Sequence, residues 1–254
     1  MGLIGLWLFL ALFLAILFPF LFAQLMAASL IKLHLHPGDA VAIVIGMFVG
    51  GMINIPIRRI SRSEDVLEYP YAAYGFGTMR PNLRRTRRET VIAVNVGGCL
   101  IPLAVAIYEL LQLAPDLWLP TALASLANIL VCYWVARPIT GVGIAIPGLV
   151  PALVAAALAW LFVREQAAPI AFIAGVAGPL IGADLLHLKE ITRVSTGMAS
   201  IGGAGTFDGI FLTGILAVLL AGIASPPRPR VTHPLRGLAA HRSGGPPAEG
   251  KMAP

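Results

Sequence analysis

The sequence has little charge. Only 12% of its 254 residues are Asp, Glu, Lys or Arg, whereas about 25% is typical of soluble domains. Hydrophobic residues make up 58% of the chain, and the mean hydropathy is +0.86. This composition argues against an ordinary soluble protein and indicates a protein that crosses a membrane several times.

The chain also lacks the motifs of common enzymes and redox sites. Its two cysteines, Cys99 and Cys132, lie in apolar stretches and form no CxxC pair, so we interpret them as small packing residues. There is no P-loop, HExxH or GxSxG motif, and no GxGxxG motif follows a strand. These absences argue against ATP-driven transport by this chain alone, and we predict no cofactor and no metal.

Seven segments are apolar and long enough to form membrane-spanning helices. We predict an all-α integral membrane bundle with helices at residues 3–30, 39–57, 90–112, 120–136, 140–162, 168–188 and 197–223. Residues 1–224 form one transmembrane domain, and the basic, Pro- and Gly-rich tail at residues 225–254 is expected to be disordered. Pro147 and Pro151 predict a broken helix in the fifth segment, because each removes a backbone donor.

Positive charge is concentrated outside the apolar segments. Eight Arg and three acidic residues lie between positions 58 and 88. The positive-inside rule places the loop at residues 58–89 and the N-terminus in the cytoplasm, with the protein in the inner (plasma) membrane. We expect this loop to contact anionic lipid head groups rather than nucleic acid. The sequence allows a homo-oligomer and does not determine the oligomeric state.

Two aspartates interrupt the apolar sequence. Asp184 and Asp208 lie in the predicted sixth and seventh helices, where a charged side chain costs about 2.5–3.5 kcal/mol or more and indicates a functional site. In a transporter or channel they would bind a proton or a cation. The other candidate ion- or substrate-binding residues are polar or helix-breaking positions in apolar surroundings, namely Asn54, Asn95, Asn128, Thr206, Pro147 and Pro151.

Three other interpretations of the two aspartates stay open. Two neighbouring carboxyl groups can share a proton and act as acid and base, which is the chemistry of aspartyl proteolysis. A metal site would combine them with His187, which shares a helix face with Asp184. In a structural role Asp184 and Asp208 would cap helices or form salt bridges, and the protein would be a scaffold or assembly factor.

Two short motifs resemble those of intramembrane aspartyl proteases. IGAD (residues 181–184) resembles the GxGD-type motif, particularly the variant of archaeal preflagellin peptidases, and PAL (residues 151–153) resembles the presenilin PAL element. This resemblance implies that Asp184 and Asp208 form a catalytic dyad. The chain departs from that family because PAL precedes both aspartates and because Ala183 stands where the motif has glycine.

A second resemblance covers most of the chain. The sequence is similar to an uncharacterised family of bacterial and archaeal multi-pass membrane proteins that is known only as a domain of unknown function. The segments that carry this similarity are NIP, NVGG, ARPITGVGI, PLIGADLLHL and GGAGTFDGIFLTG. The resemblance implies a membrane protein and no particular activity.

Overall fold

The computed structural model describes residues 3–68, 82–139, 143–190, 197–203 and 209–224. The predicted tail at residues 225–254 lies outside the described residues. The longer α-helices are α1 (Leu3–Leu30), α2 (Pro37–Gly51), α3 (Ile101–Gln112), α4 (Trp118–Val135), α5 (Leu149–Phe162), α6 (Ala167–Ala177) and α7 (Gly209–Ala224). Two wider-wound π segments adjoin them: Val96–Leu100 leads into α3, and Gly178–Leu185 continues α6.

Among the residues that the structure describes, three helical stretches are long and apolar enough to cross a membrane, which suggests a membrane protein. They are Gly5–Leu30, Pro115–Val135 and Arg164–Leu185. The shorter apolar helices are Pro37–Gly51, Val96–Gln112, Leu149–Phe162 and Gly209–Ile223.

A long β-hairpin connects α2 to α3. Strands β1 (Asn54–Glu68) and β2 (Asn82–Asn95) are antiparallel, and β5 (Gly197–Ile201) pairs in parallel with the base of β2. The prediction of helix at residues 54–57 and 90–95 was therefore wrong, and residues 58–68 and 82–89 of the predicted loop form strands instead. Glycine pairs at residues 50–51 and 97–98 weaken the helix on each side of the hairpin, and the β-branched residues at its base favour strands.

The helix predicted over residues 140–162 was wrong in its first part. Strands β3 (Arg137–Ile139) and β4 (Gly143–Ala145) form a small hairpin there, and α5 begins only at Leu149. Pro151 lies in the first turn of α5. The N–H groups of a first turn have no acceptor within the helix, so proline removes no helical hydrogen bond there. The prolines therefore mark the start of a helix, not a break within it.

Helix α6 lies at the centre of the bundle. All its residues from Ala167 to Val176 are buried, and it packs against α3, α4, α5 and α7. Small residues allow this close approach, as where Gly175 of α6 lies against Gly214 of α7. By contrast, α1 is exposed along most of its length and is buried mainly near its C-terminal end.

The helices run between two ends of the bundle. The end where α2 stops and α3, α5 and α7 begin carries the strands, and we name it the sheet end. At the opposite end, His34 contacts Glu109 near the end of α3, and Lys32 lies over Gly222 near the end of α7. The π segment that follows α6 places Asp184 at the sheet end.

Candidate functional site

Glycine pairs from three parts of the chain meet at the sheet end: residues 50–51, 97–98 and 202–203. A methyl group added at Gly97 would overlap the carbonyl oxygen of Met47 and the backbone nitrogen of residue 51. A methyl group added at Gly202 would lie 2.5 Å from Cβ of Cys99. The end of α2, the start of the α3 segment and the loop after β5 are therefore in direct backbone contact.

The side chain of Asn95 forms hydrogen bonds that hold this junction together. Its side chain is 1% exposed, and its Nδ2 donates to the carbonyl oxygen of Gly51 at 2.7 Å and to Oδ1 of Asn54 at 3.1 Å. Its Oδ1 accepts from the backbone N–H of Gly98 at 2.7 Å. The hydroxyl of Ser200 also donates to Oδ1 of Asn54, at 2.6 Å. The amide of Asn95 is thus used to hold α2, α3 and the hairpin together.

The carboxylate of Asp184 reaches the same junction. Its Oδ2 accepts a hydrogen bond from the backbone N–H of Gly202 at 3.0 Å. Gly202 follows the last pair of the β2–β5 ladder, Val94 with Ile201, and therefore adjoins Asn95. Asp184, Asn54, Asn95 and Ser200 are brought to one place by four separate elements.

The segment that carries Asp184 has unusual backbone geometry. In the π segment the hydrogen bonds join residues five apart, as between the N–H of Leu186 and the carbonyl oxygen of Ile181 at 3.0 Å. Such segments are rare and occur frequently at functional sites. Gly182 packs against the carbonyl oxygen of Ile129 in α4, where any side chain would overlap. The wider winding and the close approach to α4 together fix the position of Asp184.

Asn128 lies apart from the other predicted amides. It is fully buried in α4, and its Nδ2 donates to the carbonyl oxygen of Ala174 at 2.8 Å. The amide packs directly on Gly178, the first residue of the π segment. Among the residues that the structure describes, Oδ1 of Asn128 has no hydrogen-bond partner.

The remaining predicted site residues fall into two groups. Pro147 and Pro151 lie at the start of α5, also at the sheet end. Asp208 and Thr206 lie outside the described residues. The Asp184–Asp208 dyad therefore stays a prediction.

His187 interacts with the π segment through its ring. Its Nδ1 lies 3.1 Å from the carbonyl oxygens of both Gly182 and Ala183, so this nitrogen is the donor. The ring centroid is 4.8 Å from that of Tyr133. Within the described part of the chain, no three His, Cys, Asp or Glu side chains form a group that could hold a metal ion.

A second carboxylate at the opposite end was not predicted as a buried group. Glu109 is fully buried, its Oε2 lies 2.9 Å from Nδ1 of His34, and its Oε1 accepts from the backbone N–H of that residue at 3.1 Å. The sequence feature that could have indicated this pair is His34, in the connection that follows α1.

Comparison with protein families finds a match over most of the chain. The model of a family described as "Protein of unknown function (DUF1614)" matches residues 48–220. This range includes the hairpin, all three glycine pairs and Asp184, and it leaves out α1. No curated protein and no solved structure matches the chain.

Proposed function

The chain belongs to the DUF1614 family of proteins of unknown function, and from the site itself we propose that it is a transporter or channel that binds a proton or a monovalent cation at Asp184. In this proposal the protein is a multi-pass bundle in the inner (plasma) membrane. Seven helices cross, and the sheet end faces the cytoplasm.

The observation that carries the proposal is the position of the non-helical backbone. The four shorter apolar helices contain 14 to 17 residues and span at most about 26 Å, against about 30 Å of hydrocarbon. Three of them, Pro37–Gly51, Val96–Gln112 and Leu149–Phe162, adjoin strands at the sheet end. If these helices cross, extended backbone must complete the crossing there.

Extended backbone at membrane depth is tolerated only where protein buries it or a water-filled cavity solvates it. Transporters use such interrupted helices to form their binding sites. Asp184 is partly exposed at this end, beside the backbone N–H of Gly202 and near the polar groups of Asn54 and Ser200. These contacts support a small polar site rather than a purely structural cap.

The charge of the site favours a monovalent ligand. The carboxylate of Asp184 supplies one negative charge, the groups from Asn54, Ser200 and Gly202 at the junction are neutral, and His187 is close enough to interact with Asp184 electrostatically. One proton or one monovalent cation would balance this charge, whereas a divalent ion would leave an excess charge in an apolar surrounding.

The basic residues support the orientation. At the sheet end the described part of the chain contains Arg58, Arg59, Arg137 and Lys189, whereas Lys32 and Arg164 lie at the opposite end. The rest of the hairpin adds further arginines in the sequence. The positive-inside rule then favours a cytoplasmic hairpin and N-terminus, with the hairpin near anionic lipid head groups.

The test is flux through reconstituted protein. Liposomes that contain a pH-sensitive dye are given a pH gradient, or a Na⁺ or K⁺ gradient, across the membrane. We expect flux with the wild-type protein and at least a tenfold loss in Asp184→Asn. Asp116→Asn is the matched control, because Asp116 is exposed at the opposite end. Equal flux in Asp184→Asn and the wild type would refute the proposal.

An aspartyl protease remains the second candidate. One observation favours it: the PAL triplet lies in the first turn of α5, at the same end of the bundle as Asp184. In this case Asp184→Asn and Asp208→Asn would both stop cleavage of transmembrane peptide substrates, and the liposomes would show no flux. A scaffold is indicated if both variants lose only thermal stability.

A further inference from the structure

His187 follows the candidate binding group closely in the chain. It comes three residues after Asp184, just beyond the π segment, and it is partly exposed at the sheet end. The ring and the carboxylate are close enough to interact electrostatically. A positive charge on the ring therefore weakens the attraction of Asp184 for a cation.

The hydrogen bonds of the ring decide which nitrogen can take up a proton. Nδ1 lies 3.1 Å from the carbonyl oxygens of both Gly182 and Ala183. A nitrogen that faces two acceptors carries hydrogen in the neutral ring as well as in the charged ring. The second proton of His187 is therefore gained and lost at Nε2, without a change in the bonds that hold the ring to the π segment.

The surroundings of the ring favour a positive charge on it. The aromatic ring of Tyr133 in α4 lies against the imidazole, with centroids 4.8 Å apart and planes inclined by 32°, and an aromatic face attracts a cation. The two carbonyl oxygens at Nδ1 and the carboxylate of Asp184 also attract positive charge. Imidazole is the side chain that ordinarily changes its charge between pH 5 and 8.

The neighbouring elements bring few other titratable groups to this place. The π segment packs against α4, α6, α7 and β5. Helices α6 and α7 and strand β5 contain no titratable side chain, and α4 contributes Tyr133 and the buried thiol of Cys132. Lys189 and Glu190 follow the ring in the chain. None of these four elements adds a carboxylate or a cationic side chain.

We propose that His187 couples the binding of a monovalent cation at Asp184 to the release of one proton, so that the protein exchanges cations for protons. When Nε2 is protonated, the ring balances the charge of the carboxylate and the cation binds weakly. When a cation binds at Asp184, the proton leaves Nε2 for the water at the sheet end, and the net charge of the pair is unchanged. The inference rests on the proposed function, because it adds to the binding group the group that gives up a proton.

The test is the binding of radiolabelled Na⁺ or Rb⁺ to the purified protein in detergent. His187→Gln stays neutral and keeps an N–H donor for the two carbonyl oxygens. At about pH 8.5 it should bind the cation as the wild type does, and at about pH 6.0 at least threefold more tightly, because only the wild type gains charge there. His36→Gln is the matched control, because His36 is exposed at the opposite end, and it should bind as the wild type does at both pH values.

His187→Lys tests the opposite sign. A lysine carries its charge at both pH values, so this variant should bind the cation at least about tenfold more weakly than the wild type at about pH 8.5. Protonation of Asp184 itself weakens binding in the wild type and in His187→Gln, so the ratio of their affinities isolates the contribution of the ring. If His187→Gln does not fold, the wild type still decides, because added Na⁺ should release protons into weakly buffered solution at about pH 6.5.

The same affinity ratio at both pH values, or no proton release from the wild type, would overturn the exchange. Cation binding that depends on Asp184 and not on His187 would retain the proposed function and refute this inference. Proton flux without any cation binding would do the same. Neither binding nor flux in the wild type would refute the proposed function itself.

Discussion

Replacing Gly97 by alanine tests the backbone contact on which the candidate site depends. The added methyl group would overlap two backbone atoms of α2, the carbonyl oxygen of Met47 and the nitrogen of Gly51. Neither atom can rotate away as the end of a flexible side chain could. The contact is therefore relieved only if α2 moves away from the start of the α3 segment.

The expected cost follows from what that movement breaks. Overpacking a tight contact costs about 1–3 kcal/mol. Separation of the two segments also lengthens the 2.7 Å hydrogen bond from Asn95 to the carbonyl of Gly51, which adds about 1 kcal/mol. By the scaling for domains of 150–250 residues, a total of about 2–4 kcal/mol corresponds to a melting temperature lower by about 4–16 °C.

The assay uses the native cysteines. Cys99 and Cys132 are both buried, so a thiol-reactive fluorophore reports their exposure as the detergent-solubilised protein is heated. Gly51→Ala is the matched control, because an added methyl group there meets no atom within 4 Å. We expect it to melt within about 2 °C of the wild type. If Gly97→Ala has the same melting temperature as Gly51→Ala, the backbone contact at Gly97 is less close than in the structure.

Two further predictions use the same melting assay. Gly182→Ala should lower the melting temperature by at least about 4 °C, because the methyl group would overlap a backbone carbonyl of α4. Gly148→Ala is the control and should not lower the melting temperature, because its added methyl group would meet no atom within 4 Å. Equal melting temperatures of Gly182→Ala and Gly148→Ala would contradict the tight packing of the π segment. Glu109→Ala should cost about 1–3 kcal/mol, because it leaves the backbone N–H and ring of His34 without their acceptor. Glu109→Gln keeps an acceptor for that N–H and should cost less, and the reverse order would be incompatible with the described contacts.

Hydropathy predicted the long helices because their apolar runs have no other explanation in a chain of this composition. α4 was expected at residues 120–136 and is observed at Trp118–Val135. The sixth segment was expected as one helix over residues 168–188. It is instead an α-helix to Ala177 that continues as a π segment. A change of winding leaves the apolar pattern intact, so composition alone does not reveal it.

The hairpin base was missed for a physical reason. Ile55, Ile57, Val91 and Val94 are as hydrophobic in a strand as in a helix, and they directly extend the apolar runs of α2 and α3. The pairing that holds β2 comes partly from β5, which lies about a hundred residues later in the chain. No local pattern reports a partner at that distance, and short apolar runs are ambiguous between helix and strand.

The candidate site was predicted in part. Asp184, Asn54 and Asn95 were named from sequence, and the structure brings all three to the junction of the glycine pairs. What holds Asp184 is the backbone N–H of Gly202. A backbone donor has no side chain to identify it in the sequence. The glycines signalled that backbones approach closely, but they did not say which ones meet.

The carboxylates of Asp184 and Glu109 differ in how many of their oxygens accept hydrogen bonds. Both oxygens of Glu109 are engaged by His34, and the side chain is fully buried. Asp184 is partly exposed, and its described hydrogen bond uses one oxygen and a neutral donor. A carboxylate whose two oxygens both accept hydrogen bonds inside the protein has little to gain from binding an ion, whereas one with a single described hydrogen bond gains more in a medium of low dielectric constant. This difference favours Asp184 as the binding group. It favours a structural role for Glu109, which links α3 to His34 at the opposite end of the bundle.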